Sequence, residues 1–175
     1  YIHNTITSIG NTAFSGATNL TTVTFEAGST CTTFGNQAFQ TTTSLTSFTI
    51  PNSVTAIGEQ AFKGTTNLTT VIFEAPSKLT RFRQSLFWQS GLIYITIPAS
   101  VTGFDDNYTF LATPNLTSIY VEEGNLNFSS IDGVLFNSTN TLVQYPGKYT
   151  SGSDITGTTY TIPSTCTSIG ESSFR

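Results

Sequence analysis

The stretch Ser53–Glu74, SVTAIGEQAFKGTTNLTTVIFE, sets apolar or small residues at fixed offsets: Val54, Ile57, Gly58, Ala61, Phe62, Leu68, Val71 and Phe73. This frame recurs along the chain. The Ile57/Phe62 pair reappears as Ile9/Phe14, Phe34/Phe39, Phe82/Phe87, Ile131/Phe136 and Ile169/Phe174, and with one inserted residue as Phe104/Phe110. Three residues ahead of each pair stands another apolar residue: Ile6, Cys31, Val54, Leu79, Val101, Phe128 or Cys166. A leucine follows each of the first six pairs: Leu20, Leu45, Leu68, Leu92, Leu116 and Leu142, at spacings of 25, 23, 24, 24 and 26 residues.

A single repeat of this length cannot bury its own apolar residues. Stacked repeats place each column of equivalent residues on the next and make one continuous core. After the leucine, Leu-x-x-Φ-x-Φ gives Val23/Phe25, Phe48/Ile50, Val71/Phe73, Ile95/Ile97 and Ile119/Val121. Alternation with a period of two is what a strand with one buried face requires. Short parallel strands are therefore expected near 22–26, 47–51, 70–74, 94–98 and 118–122. The Ile-Gly-x-x-Ala-Phe part has three- and four-residue spacing, which predicts a short helical turn on the opposite side.

A second period is twice as long. Asn19-Leu20-Thr21, Asn67-Leu68-Thr69 and Asn115-Leu116-Thr117 stand 48 residues apart. Strands of that series end in Phe25-Glu26, Phe73-Glu74 and Val121-Glu122, and those between end in Ile50-Pro51 and Ile97-Pro98. Tandem duplication of a pair explains the alternation. The alternative is a functional row of carboxylates, Glu26, Glu74 and Glu122, about 10 Å apart and too far for two to share one metal ion. Within 125–158 the frame breaks. Two apolar runs around Asn137-Ser138-Thr139-Asn140 predict a hairpin insert at about 133–145, followed by a Gly/Ser/Thr-rich loop at about 146–158.

These residues resemble the BspA-like leucine-rich-repeat family of bacterial and protist surface proteins, whose repeat reads roughly IP-x-SVT-x-IG-x-x-AF-x-G-C-x-x-L. Here it runs from Ile50-Pro51 through Ser53-Val54-Thr55, Ile57-Gly58, Ala61-Phe62 and Gly64 to Leu68. Asp132-Gly133-Val134-Leu135-Phe136 with Tyr145-Pro146 resembles an insert of the same family. Two departures stand out: Thr65 occupies the family's cysteine position, and Phe82-Arg83-Gln84-Ser85-Leu86-Phe87 loses both the Gly and the Ala. The fold expected is an α/β repeat, a right-handed leucine-rich-repeat solenoid. Parallel strands lie on one face and short helical turns on the other, with a β-hairpin insert, as a single unit over 1–175.

The resemblance implies a cell-surface or secreted recognition role, extracellular host or microbial proteins or glycans as partners, and no catalytic residues. A structural spacer that displays another domain is the competing reading. Lack of Met and an opening on Tyr1 in mid-pattern read as a piece of a longer protein, so membrane attachment would come only from parts outside this sequence.

Composition excludes other classes. The 175 residues carry six Lys and Arg against ten Asp and Glu, a formal charge of −4. Nucleic-acid binding needs a basic stripe to displace phosphate counterions, and none is present. Fourteen Phe supply a core that a disordered chain lacks. No apolar run approaches the length of a membrane-spanning helix.

Cys31 and Cys166 share one column about five rungs apart, on the order of 24 Å. A disulfide needs Cα atoms within about 7 Å, so two buried free thiols are expected and no disulfide. With one histidine, His3, neither a metal site nor a cofactor is expected. A polysaccharide lyase or hydrolase on a β-helix would need convergent charged residues, and Asp105-Asp106 and Glu122-Glu123 are only neighbours in sequence. Lys78, Arg81 and Arg83 gather near Trp88, either as drift in one repeat or as a contact point for an anion or glycan.

Binding by a solenoid falls to the outward residues of its strands. By alternation these are Thr22, Thr24, Ser47, Thr49, Thr70, Ile72, Tyr94, Thr96, Ser118 and Tyr120, a face that becomes more aromatic toward the later rungs. Asn19, Asn67, Asn107, Asn115, Asn127 and Asn137 begin Asn-x-Ser/Thr sequons and are candidate N-glycosylation positions, three of them simply part of the repeated Asn-Leu-Thr.

Overall fold

The computed structural model describes residues 1–147 and 159–174. Its strands in chain order are β1 (Ser8–Ile9), β2 (Thr33–Phe34), β3 (Ser47–Ile50), β4 (Ala56–Ile57) and β5 (Thr70–Phe73). Then follow β6 (Arg81–Phe82), β7 (Tyr94–Ile97), β8 (Gly103–Phe104) and β9 (Ser118–Val121). The chain continues with β10 (Phe128–Ile131), β11 (Val134–Asn137), β12 (Thr141–Gln144) and β13 (Ser168–Ile169). Each turn of the coil from β2 to β9 carries a two-residue strand, a run of turns and a four-residue strand. The two-residue strands pair in parallel as β1-β2-β4 and β6-β8, and the four-residue strands as β3-β5 and β7-β9.

Four of the five expected strands are present at their places. The fifth, at 22–26, is reduced to a parallel bridge between Ile2 and Phe25. The helical turns are not formed: among the described residues there is no helix, and the fold is a parallel β-solenoid rather than α/β.

Hydrogen bonding explains the difference. Gln60, Phe62 and Gly64 donate their N–H groups to the carbonyls of Gln84, Leu86 and Trp88 in the next rung, at 2.9, 3.0 and 2.8 Å. Lys63 and Thr65, between and after them, donate three residues back, to Gln60 and Phe62. An α-helix needs every N–H for the carbonyl four residues back. Here alternate donors leave the rung, and left-handed residues at Gln60 (φ 56°) and Gly64 (φ 71°) reset the direction. The equivalents Gln37 and Thr41, and Ser85 and Gln89, repeat this geometry.

The same periodicity builds the core. Phe14, Phe39, Phe62, Phe87 and Phe110 form a column of near-parallel rings with successive centroids 5.2, 5.3, 5.6 and 6.1 Å apart, within the range favoured by offset stacking. The Leu45, Leu68, Leu92 and Leu116 column is fully buried. Thr65, in the family's cysteine position, is also buried, and its hydroxyl donates to the Phe62 carbonyl at 2.7 Å, as Thr42 does to Phe39. Ser90 holds the same place in its rung and is buried with no partner for Oγ among the described residues. Cys31 is fully buried, but Cys166 is only half-buried, because the second core beneath it is small.

Gly35 and Gly58 sit where one rung presses on the last. A Cβ on Gly58 would overlap the backbone nitrogen of Asn36 and the carbonyl carbon of Gly35. Arg83 and Asp105 take this position in the next rungs. The rung with the inserted residue needs a repair: Ser85 N–H finds a side chain instead of a carbonyl, donating to Asp106 Oδ2 at 3.0 Å. Asp106 Oδ1 accepts the Tyr108 N–H at 3.1 Å.

The insert is larger than the expected hairpin. β10, β11 and β12 form an antiparallel meander, and β12 pairs in parallel with β13. Asp132 (φ 51°) and Gly133 (φ 81°) make the first turn, the two left-handed residues that a type I′ hairpin requires. This also corrects the frame. Ile131 pairs across that turn with Val134, and Leu142 aligns with Ile169 rather than with the Leu68 column. β11 is buried on both sides: Leu135 joins the main core, and Val134 and Phe136 join Leu142 in the second. The loop expected at 146–158 lies, from 148 on, outside the described residues.

Two measurements check this account. Gly58→Ala is expected to cost about 1–3 kcal/mol in urea unfolding through overpacking, while Gly10→Ala, whose Cβ meets nothing within 4 Å, stays near wild type. Asp106→Ala leaves the Ser85 and Tyr108 N–H groups unpaired and is expected to lose about 1–3 kcal/mol in the same assay.

Candidate functional site

The four-residue strands present their odd-numbered or even-numbered side chains outward according to the register, with Thr49 beside Ile72 and Thr96 beside Tyr120. Ile72, Tyr94 and Tyr120 are 53%, 43% and 50% exposed, large apolar or aromatic groups on a face otherwise made of Thr and Ser.

The 48-residue alternation has a physical cause. Glu74 N–H donates to the Ile50 carbonyl at 3.0 Å, and its Oε2 accepts the Asn52 N–H at 3.2 Å. Glu122 does the same to Ile97 (2.9 Å) and Ala99 (2.7 Å), and Glu26 to Ile2 (2.9 Å) and Asn4 (3.0 Å). Each Glu thus clips the end of the preceding strand, and rungs are tied in pairs. The carboxylate row is first of all a structural device.

Between pairs the sheet opens. The corner after a Phe-Glu strand is longer than the corner after an Ile-Pro strand: Phe73 to Leu79 spans six positions, Ile50 to Val54 four. β5 and β7 belong to separate sheets, joined at their start by Ile93 N–H to the Thr69 carbonyl at 3.2 Å. A cleft of about 230 Å³ lies there, walled by Ile72, Phe73, Tyr94 and Pro98, with Ser77, Thr96 and Glu122 as polar groups. Its counterpart one pair earlier is about 320 Å³ and lined by Thr22, Thr24, Phe25, Ser47, Thr49 and Glu74.

Seven of the ten strand-face residues therefore gather at the clefts: Thr22, Thr24, Ser47 and Thr49 at the first, Ile72, Tyr94 and Thr96 at the second. Thr70, Ser118 and Tyr120 line neither. Ser118 is partly covered, because the Gly133 turn packs on it and takes the Ile119 N–H at 2.8 Å. Sequence reasoning assigned Glu74 and Glu122 to the face but not to clefts, and it passed over Phe73 and Pro98. The unequal corner lengths were the available signal.

The two arginines of the basic cluster are ion-paired, and Lys78 is exposed with no ion pair among the described residues. Arg81 Nε and Arg83 Nη1 share the Asp105 carboxylate at 2.7 and 2.9 Å. Burial raises the Asp105 carboxyl, but hydrogen bonds and attraction from the two guanidinium groups outweigh it and hold it below the ordinary carboxylate range. Trp88 carries the Lys63 ammonium, 4.1 Å from its ring centroid. His3 lies 3.5 Å from Glu26. Among the described residues no three His, Cys, Asp or Glu side chains gather as a metal site, and no helix is long and apolar enough to cross a membrane.

Of the sequon residues, Asn19, Asn67, Asn107 and Asn115 are exposed, and Asn127 and Asn137 half-buried. Asn137 Oδ1 accepts the Thr139 and Thr141 N–H groups at 3.1 and 2.9 Å. Thr69 and Thr117, the sequon threonines, donate to the Thr46 and Ile93 carbonyls of the preceding rungs at 3.2 and 2.9 Å.

Comparison with known proteins matches residues 1–117 and 32–153 to the BspA type Leucine rich repeat region, in six copies. The chain belongs to the BspA-type leucine-rich-repeat family. The crystal structure of the pneumococcal vaccine antigen PcpA is similar over 99% of this chain and 41% of that one, at 30% identity and a TM-score of 0.87. A leucine-rich cell surface protein from Faecalibacterium prausnitzii A2-165 is similar over 83% of this chain and 45% of that one, at 26% identity and a TM-score of 0.65. A leucine-rich-repeat protein from Eubacterium ventriosum is similar over 86% and 43%, at 26% identity and a TM-score of 0.64. This BspA-type chain thus spans less than half the length of those structures. Among curated protein sequences none matches it.

The Asp105 pairing sets a pH dependence. A carboxyl held below its unfolded value of about 3.9 stabilises the fold above that pH and loses the contribution as pH falls through its lowered value. Asp105→Asn is therefore expected to lower Tm at neutral pH, with the difference from wild type shrinking on acidification below about pH 4 and in high salt. A difference that holds constant in thermal melts across that range would contradict the pairing.

Proposed function

We propose that this BspA-type solenoid is a non-catalytic recognition module, at the cell surface or secreted, that binds an extracellular protein or glycan through its strand face. The carrying observation is the exposure of Ile72, Tyr94 and Tyr120 on one face, with a cleft between the first two. Large apolar groups on a polar face mark interaction sites. Tyrosine suits them, being large, rigid and tipped with a polar group. Surface relatives support the setting, since the Faecalibacterium structure is described as a cell surface protein.

The continuous phenyl column and inter-rung ladder also suit a rigid spacer that displays another domain. A binding screen against matrix proteins and glycans separates the two readings. The module is expected to give at least one partner whose affinity drops about tenfold or more in the Tyr94→Ala/Tyr120→Ala double variant. Binding unaffected by the double change rejects this face, and a screen with no partner favours the spacer.

A further inference from the structure

The cleft between β5 and β7 differs from its counterpart, and the difference names a ligand class; this step rests on the strand-face reading above. Its apolar side is exposed, made by Ile72 and the Tyr94 ring beside the half-buried Phe73. The earlier cleft is lined mainly by Thr and Ser, and its one ring, Phe25, is half-buried. Around the Tyr94 cleft stand polar groups with unused capacity. Ser77 Oγ accepts the Leu79 N–H at 3.3 Å, which leaves its own proton to donate. Glu122 Oε2 accepts the Ala99 N–H at 2.7 Å, and Oε1 has no partner among the described residues. The Thr96 and Tyr94 hydroxyls make no hydrogen bond among the described residues. Ser77 and Glu122 are held by backbone contacts of their own, so a ligand bears little cost in ordering them.

Charge and hydrogen bonding together narrow the occupant. An anion is repelled by the Glu122 carboxylate. A cation is drawn to Glu122 but opposed by Lys78, the exposed neighbour of Ser77, which has no ion pair among the described residues. It also leaves the hydroxyl protons of Ser77 and Thr96 without an acceptor. A wholly apolar ligand leaves every one of these polar groups unpaired and desolvated. What fits is a neutral ring with an apolar face and hydroxyls at its edge, which is the chemistry of a sugar. Its C–H face seats on the electron-rich face of Tyr94. One hydroxyl donates to Glu122 Oε1 in a charge-assisted bond, and others exchange hydrogen bonds with Thr96 and Ser77. At about 230 Å³ the cleft is smaller than the ~300 Å³ at which sites for drug-sized ligands begin, so it holds one ring. Tyr120, beside Thr96 in the register and half exposed, offers a platform for the next. We infer that the cleft between β5 and β7 is a saccharide subsite that takes one uncharged pyranose of a longer glycan, with Tyr120 under the neighbouring unit.

Titration of the isotope-labelled whole chain with lactose, cellobiose, maltose and chitobiose, followed by backbone amide NMR shifts, tests this. At least one disaccharide is expected to bind with a Kd of about 1 mM or tighter, with shifts centred on Ile72, Ser77 and Thr96. Its affinity is expected to be the same at about 0.05 and about 0.5 M salt, since no ion pair forms. Thr96→Val, which removes the hydroxyl at nearly equal volume, is expected to weaken binding about fivefold, and Tyr94→Ala about tenfold or more. Thr18→Val, at an exposed position on the first rung, leaves it unchanged. Thermal melts establish that each variant is folded. Binding by none of the disaccharides, shifts centred on Thr24, Ser47 and Thr49, an affinity that falls with salt, or equal affinities in Thr96→Val and Thr18→Val overturns the inference. If the disaccharides fail while the matrix screen finds a partner lost in the tyrosine double variant, this inference falls and the strand-face reading stands. A disaccharide bound with undiminished affinity by that double variant rejects both.

Discussion

In the turn-forming part of each rung, alternate backbone N–H groups are given to the next rung, and most of the structure follows from that. The ladder fixes the rung spacing, because hydrogen bonds of 2.8–3.0 Å from Gln60, Phe62 and Gly64 leave no slack. That spacing stacks Phe39, Phe62 and Phe87 nearly ring on ring. It also brings backbone so close to backbone that Gly35 and Gly58 tolerate no Cβ. Where an inserted residue removes a carbonyl from the ladder, Asp106 supplies a carboxylate in its place. A single charged residue is recruited to keep a backbone donor satisfied, as a buried N–H demands.

On the strand side a second rule acts, and the two rules do not agree. The Glu clips tie rungs in pairs, β3 to β5 and β7 to β9, while the longer corners after Phe73 and Phe25 let successive pairs part. The turn side thus keeps its ladder from rung to rung, with one repair at Asp106, and the strand side does not. A strand edge left open within a sheet is a liability unless something covers or uses it. Here the opening is lined by Ile72 and Tyr94, whose side chains stay largely exposed, beside the buried Pro98.

The columns were legible because burial repeats with the chain. Val54, Ile57, Phe62, Leu68 and Val71 are all buried, as their recurrence demands. The helical turn misled because Ile57, Ala61 and Phe62 have helix-like spacing in a run of turns as well. The residues that decide between the two are Gln60, Ser85 and Gln37, which take left-handed conformations without the glycine that would announce them. Asp132-Gly133 did announce its turn, but the tetrad at Asn137–Asn140 drew the hairpin boundary one strand too late. The face residues were readable from alternation alone. The clefts were not, since they depend on how far two strands separate, and alternation carries no information about the gap.

Threonine shows why composition understates the contrast between the faces. Along the short-strand side, Thr55 and Thr102 donate both N–H and hydroxyl to the carbonyls of Thr32 and Thr80 in the preceding rung. Thr69 and Thr117 do likewise at the entry to the long strands. Such hydroxyls are held within the molecule, and they add little polarity to the surface. Thr24, Thr49 and Thr96, on the strand face, make no hydrogen bond through their side chains among the described residues, and each lines a cleft. A chain with 9% charged residues has few ways to mark a surface for recognition. This one leaves the unbonded hydroxyls of Thr24, Thr49 and Thr96, the rings of Tyr94 and Tyr120 and the half-engaged carboxylates of Glu74 and Glu122 on the same side. The turns opposite use their polar groups to hold rung to rung. The division of labour between the two sides is therefore set by which hydrogen bonds each rung requires, and the strand face keeps the groups those requirements leave over.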